Sequence, residues 1–343
     1  MLDKQQYNAR QETSSWFEAA QNFVFMIEKL GGKKNGRKQQ VRRNVVEDEG
    51  KSFMAEVFAE RLERARQEKF TFLLVGRAGA NRAKPINTIV NEDVVPEDEQ
   101  IHTTFQVTTY EHTEAESKFS IIDTPGLCNI PTGYGKDYIH QMRLEDGAPR
   151  FDGLWFVSPL LEAGITDGER RAIEIITQAY GSSAWRYSLI VLTYDGVLEQ
   201  EKLYQKLYQE KMECIRQEIA PLVGEEVAAA IPAIPVSCAT KTTPDRKEWL
   251  SELYIAVSLR MSDQGYLSFL LATAKRLQFS LPKSSRKAVQ RMGIRIDTAQ
   301  KFSSSIRNQE HVICINEEKS RVIKRRMHDY LTNVAKRNRI SFR

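Results

Sequence analysis

Apolar positions along the chain fall into two kinds of pattern. Short, continuous apolar runs occur at FTFLLVG (70–76), KFSIID (118–123), GLWFVSP (153–159), SLIVLTY (188–194) and IPAIPVS (231–237), with a more alternating run, TTFQVTTYEH, at 103–112. Between several of them lie stretches with helical spacing: GERRAIEIITQAYG, the long EQEKLYQKLYQEKMECIRQEIAPL, and DRKEWLSELYIAVSL. Continuous apolar strands are those buried on both faces, and strands that alternate with helices predict a mainly parallel sheet covered on both sides. The expectation is an α/β fold, with ligands taken at the carboxyl ends of the strands.

Outside this region the pattern changes. Residues 14–31 place Trp16, Phe17, Ala20, Phe23, Val24, Met26, Ile27 and Leu30 at roughly helical spacing, and Gly31-Gly32 predicts a stop. The polar and basic stretch GGKKNGRKQQVRRN reads as a linker, and 52–69 as a second helix. After Leu281-Pro282 the chain is basic and helix-like in patches, and KSRVIKRRMHDYLTNVAKR places Val322, Ile323, Met327, Tyr330, Leu331 and Val334 on one side. Three segments follow: 1–67, an N-terminal helical extension with a basic linker; 68–262, the α/β domain; and 263–343, a basic, partly helical C-terminal extension.

Composition narrows the class. Of the 343 residues 41% are hydrophobic and 28% charged, enough to build a core and ordinary for a soluble protein. Cys128, Cys214, Cys238 and Cys314 form no close pair, so neither a disulfide framework nor a zinc site is expected. The opening MLDKQQYNARQETSS lacks the apolar core of a secretory signal, and no apolar run approaches membrane-spanning length. The expected location is cytoplasmic. Residues 275–343 carry 18 Lys and Arg against 5 Asp and Glu, although the whole chain is only +5, so the preceding body is net acidic. That tail is either a solvated face or a contact for an anionic membrane or nucleic acid, and sparse aromatic residues there argue against base stacking.

Candidate chemistry begins after the first apolar strand. A phosphate-binding loop reads G-x-x-x-x-G-K-[ST] between strand and helix; its backbone N–H groups cradle phosphates, its Lys reaches the β- and γ-phosphates and its hydroxyl holds Mg²⁺. Here the context is Gly76-Arg77-Ala78-Gly79-Ala80-Asn81-Arg82-Ala83, followed by Lys84-Pro85. The first glycine is present. Asn81 replaces the second, Arg82 the lysine and Ala83 the hydroxyl. Asn tolerates positive φ but crowds the phosphates, a planar guanidinium is not a compact ammonium, and Ala cannot ligate a metal.

Further motifs follow in order. Asp123-Thr124-Pro125-Gly126 ends an apolar strand, as the D-x-x-G motif does in GTPases, where the Asp holds Mg²⁺ through water and the Gly N–H senses the γ-phosphate. Leu127 comes next, where a working enzyme places a water-orienting Gln. Thr103 and Thr104 are both candidates for the switch threonine that contacts Mg²⁺, or are ordinary strand threonines. The strand ending Leu192-Thr193-Tyr194-Asp195 occupies the place of the base-reading motif, with Asp195 either reaching guanine or capping the next helix. Ser237 and Cys238 end the sixth strand where a loop backs the guanine.

Over residues 68–260 the chain resembles the septin-related branch of the Ras-like GTPases, and within it the immune-associated nucleotide-binding GTPases and the chloroplast outer-envelope import receptors. Besides DTPGL, the matching residues are Phe151–Val157, Ile165–Ile173, Tyr180-Gly181, Trp185 and Ile190–Thr193. The resemblance implies a Ras-like G domain that takes GTP or GDP with Mg²⁺ and pairs with a second copy through its nucleotide face. The import receptors carry arginines after the fourth strand, where this chain has Pro159 and Gly164. Together with Asn81, Arg82, Ala83 and Leu127, these departures imply reduced nucleotide and Mg²⁺ affinity. They point to a switch or scaffold with weak or no hydrolysis, working through dimerisation or a protein partner. A slow GTPase activated by a partner's arginine, and an adaptor working through the basic tail, are the alternatives.

Overall fold

The computed structural model describes residues 61, 63–77, 79–96, 107–114, 117–124, 151–195, 200–279 and 311–337. Six strands form one sheet: β1 (Phe70–Gly76), β2 (Thr108–Glu114), β3 (Ser117–Thr124), β4 (Gly153–Pro159), β5 (Ser188–Tyr194) and β6 (Ala233–Ser237). The order is β2-β3-β1-β4-β5-β6, with β2 antiparallel to β3 and every other pairing parallel. This is the topology of a Ras-like G domain. Of the run expected at 103–112, residues 108–112 lie in the second strand, and residues 97–106 lie outside the described set. The sixth begins at Ala233, two residues later than the apolar run predicts.

The continuous apolar strands are explained by their two buried faces. On β1, Phe70, Phe72 and Leu74 enter one core, while Leu73 and Val75 enter the other. The helices are α1 (Ala83–Val90), α2 (Asp167–Tyr180), α3 (Glu201–Val223), α4 (Glu225–Ala229), α5 (Trp249–Arg260), α6 (Asp263–Thr273) and α7 (Glu317–Arg337). The first core takes Ile86 and Ile89 of α1 together with side chains from α5, α6 and α7. The second takes Ala172, Ile173 and Ile176 of α2 with Ile215 and Ile219 of α3. Helix α2 starts in a capping box: Thr166 accepts from the Glu169 N–H while the Glu169 carboxylate accepts from the Thr166 N–H.

The described residues beyond 262 pack on the same core. Phe269 of α6 lies edge-on to Phe70 and Phe72 and stacks on Tyr254 of α5. A short parallel pair, β7 (Leu277–Phe279) with β8 (Ile313–Ile315), leads into α7, whose Met327, Tyr330 and Val334 are buried. Several basic side chains of this region are engaged internally: Arg326 with Asp263 at 2.9 Å, Lys319 with Glu252 at 2.9 Å and Arg337 with Asp263 at 3.2 Å. The expected helix at 14–31 lies outside the described residues. Of the one expected at 52–69, residues 61 and 63–67 are helical. Among the described residues no helix is long and apolar enough to cross a membrane.

Candidate functional site

The carboxyl ends of β1, β3, β5 and β6 converge where the strand order reverses about β1, the place for a ligand in an open α/β sheet. Strand β1 ends on Gly76, which must lack a side chain: a Cβ there would sit 2.5 Å from the Val157 carbonyl oxygen and 2.9 Å from Arg82 Cδ. The loop then turns through Gly79 (φ 76°) and Asn81 (φ 47°) into α1. Asn is among the few non-glycine residues that occupy this left-handed region readily. Pro85 falls in the first turn of α1, where its missing N–H has no helical acceptor to lose.

Arg82 does not extend out of the loop. Its guanidinium folds back, and Nη1 donates to the carbonyls of Gly76 (3.1 Å) and Thr124 (3.3 Å) and faces Asp123 Oδ1 at 3.5 Å. Both partners are nearly sealed, with 9% and 7% of their side-chain surface exposed. The pair reaches Tyr110 on β2 electrostatically: burial and then the Asp123 charge raise its phenol pKa, while Arg82 opposes them. Thr124 fixes the end of β3 by donating its hydroxyl to the Leu74 carbonyl at 2.9 Å.

The base side is tied to the phosphate loop. Asn81 Nδ2 donates to Asp195 Oδ2 at 2.5 Å, and Thr193 donates to the Ala80 carbonyl at 2.6 Å. Burial, together with the neighbouring Asp195, which also accepts a hydrogen bond from the thiol, pushes the Cys238 pKa up to about 12. Ser237 accepts from the Thr240 N–H and hydroxyl, shaping the loop behind Cys238. Asp195 is not a helix cap, since α3 opens after Gln200.

A second set of contacts braces the loop after β4. Arg77 makes a two-pronged pair with Glu162, both distances 2.6 Å. Beneath it, Lys211 donates to the Gly164 carbonyl at 2.6 Å and lies 3.9 Å from Glu169, which also accepts from Ser158 at 2.5 Å. Lys211 and Glu169 are 2% and 0% exposed, so this is a fully desolvated pair.

Contacts thus join two groups of the expected residues: Arg82 meets Gly76, Thr124 and Asp123, while Asn81 meets Asp195, Thr193 meets Ala80, and Cys238 lies beside Asp195. The Arg77 side chain turns to Glu162 instead. Ala78, Thr103, Thr104, Gly126 and Leu127 lie outside the described residues. Thr124, Tyr110 and Glu162 also belong here and carried no separate signal: Thr124 sits inside a motif read for its neighbours, and Glu162 is 85 positions from Arg77. The metal side does not fit magnesium as a working phosphate loop binds it. Ala83 has no hydroxyl, and Asp123 already faces a guanidinium. Among the described residues no group of three His, Cys, Asp or Glu could hold a metal ion.

Residues 70–227 match the AIG1 family. Translocase of chloroplast 34 from Arabidopsis thaliana is 28% identical over 125 residues, 36% of this chain and 39% of the relative, so the match spans about two fifths of that protein. Two solved structures of Toc33 from Arabidopsis thaliana resemble it. A dimerization-deficient mutant is 18% identical, with TM-score 0.47, covering 67% of this chain and 94% of that one. The complex with GDP and Mg²⁺ is 18% identical, with TM-score 0.44, covering 65% and 93%.

Proposed function

We propose that the protein, whose residues 70–227 match the AIG1 family, is a switch or scaffold of the guanine-nucleotide-binding class with weak or no GTP hydrolysis. It acts by presenting its nucleotide face to a second copy or to a protein partner. The observation that carries this reading is the position of Arg82, folded against Gly76, Thr124 and Asp123 instead of reaching outward as a phosphate-binding lysine does.

Phosphoryl transfer depends on positioned charge. Mg²⁺, the loop lysine and a water-orienting side chain each stabilise or align the transition state. Removing one such contact typically lowers the rate ~10²–10³-fold. This chain departs at Arg82, Ala83 and Leu127 together, which brings hydrolysis down towards background. What is retained is the scaffold: the sheet, the capping box of α2 and the glycine turn after β1.

Single-turnover phosphate release from GTP tests the reading, run beside sedimentation of the full chain across a concentration range. The expected result is release indistinguishable from buffer. Mg²⁺-dependent release at or above the ~10⁻⁴–10⁻³ s⁻¹ of an intact small GTPase without its activator overturns it.

A further inference from the structure

Arg82 occupies the place in the cleft where a phosphate loop and an aspartate ordinarily share a divalent metal. Its Nη1 is surrounded by three oxygen atoms: the Gly76 carbonyl at 3.1 Å, the Thr124 carbonyl at 3.3 Å and Asp123 Oδ1 at 3.5 Å. Hard oxygen donors of this kind are what magnesium itself selects. The stem of the same side chain covers Gly76, with Cδ 2.9 Å from where a Cβ would stand. The hydroxyl that would complete a metal site is absent because residue 83 is alanine. With Arg82 and Asp123 only 9% and 7% exposed, a divalent ion added beside the guanidinium would meet a like charge in a poorly screened environment.

We propose that Arg82 is the resident cation of this cleft, standing in for the divalent metal, so that the site is independent of magnesium. The inference rests on reading the cleft as a nucleotide site, and it concerns the regulation of that site: cellular changes in free Mg²⁺ leave it unchanged. Asp123 is committed to the protein, and the charge it faces cannot dissociate.

Two measurements separate this inference from the reading beneath it. The first needs no nucleotide: thermal unfolding of the full chain in excess MgCl₂ and in EDTA. The wild-type midpoint is expected to be the same in both. The Arg82→Lys/Ala83→Ser double variant, which removes the guanidinium facing Asp123 and returns the ordinary lysine and hydroxyl, is expected to rise by about 2–4 °C with Mg²⁺, the shift that a weakly bound stabilising ligand gives a domain of this size. Where that variant does not fold, the wild-type midpoints in the two buffers and the nucleotide measurement below decide. A wild-type midpoint that rises with Mg²⁺, or a folded variant that ignores it, overturns the proposal.

The second measurement is mant-GDP binding in MgCl₂ and in EDTA. Equal affinity in the wild type supports the proposal, and a tenfold loss in EDTA overturns it while leaving the nucleotide reading intact. If neither the wild type nor the double variant binds mant-GDP, the nucleotide reading fails, and the thermal measurement alone decides what Arg82 does.

Discussion

Arg276 donates through Nη1 to the Ile89 carbonyl at 2.6 Å and through Nη2 to the Thr88 carbonyl at 2.8 Å. The last carbonyls of α1 are therefore satisfied by a side chain almost two hundred residues later, and a cation sits at the negative end of the helix that the phosphate loop opens. Its Nε donates to the His311 carbonyl at 2.9 Å, just before β8. One buried guanidinium thus joins the far end of α1 to the segment leading into α7.

Arg276→Ala strands these acceptors, and the expected cost is about 2–4 kcal/mol, from the loss of charged hydrogen bonds in a buried setting. Arg276→Lys recovers only part, because one ammonium cannot serve three carbonyls with the geometry of a planar fork. Urea unfolding measures the loss. Amide exchange should rise in 83–90 and 311–337 together; a rise confined to one of them means that the guanidinium does not couple the two segments.

The Lys211–Glu169 pair predicts a pH dependence of known sign. Burial is the main cause that lowers the Lys211 pKa from 10.5, with Glu169 opposing it. A folded pKa below the unfolded one means that the unfolded chain binds more protons in the window between them, so this group's contribution to stability rises with pH there. Wild type should gain on Lys211→Met as pH climbs from the depressed folded value to 10.5. At neutral pH that variant should be about 3–5 kcal/mol less stable, because it leaves Glu169 buried without its cation. Denaturant midpoints of both proteins at two pH values give the sign directly, and a gap that widens towards low pH contradicts the burial argument.

Cys238 gives a chemical readout of the base side. A thiol whose pKa is pushed up to about 12 by burial and by Asp195 is almost entirely protonated at pH 8. Thiolate is the reactive form, so alkylation followed at the Cys238 peptide should be very slow in the folded protein. Asp195→Asn removes the neighbouring charge and should speed labelling by roughly tenfold or more, one pKa unit being a factor of ten. Unchanged labelling would mean that the carboxylate does not govern the thiol.

Much of the fold is visible in the sequence for one physical reason. The runs at 70–76, 153–159 and 188–194 are buried on both faces, so their apolar character is continuous and their ends are sharp. The edge strand β2 is half-exposed, so its sequence alternates instead of running continuously apolar. In the cleft, residue types are readable but directions are not. The string Asn81-Arg82-Ala83 reveals a changed loop, yet only the fold reveals that Arg82 turns inward to Asp123 and that Asn81 crosses to Asp195, 114 positions away. The strands β7 and β8, three residues each, are too short to leave a periodic trace.

The segment after residue 262 shows how composition can hide structure. Its basic charge marks it as an extension, yet Phe269, Met327, Tyr330 and Val334 are buried in the core that contains Phe70 and Phe72. Phe269 packs against Phe70 at 5.6 Å, Phe72 at 6.1 Å and Tyr254 at 5.4 Å between ring centroids. Truncating such a ring to alanine costs about 3–5 kcal/mol through lost transfer energy and the cavity left behind. Phe269→Ala should therefore lower stability by that amount, while Arg325→Ala on the exposed side of α7 should change it by less than about 0.5 kcal/mol. A chain ended at residue 262 removes α6 and α7 together and uncovers one face of the central sheet, so it should aggregate or populate an expanded state. Circular dichroism and size-exclusion chromatography of that fragment decide the matter. A fragment that is monomeric and melts like the full chain would mean that the G domain stands without its C-terminal cover.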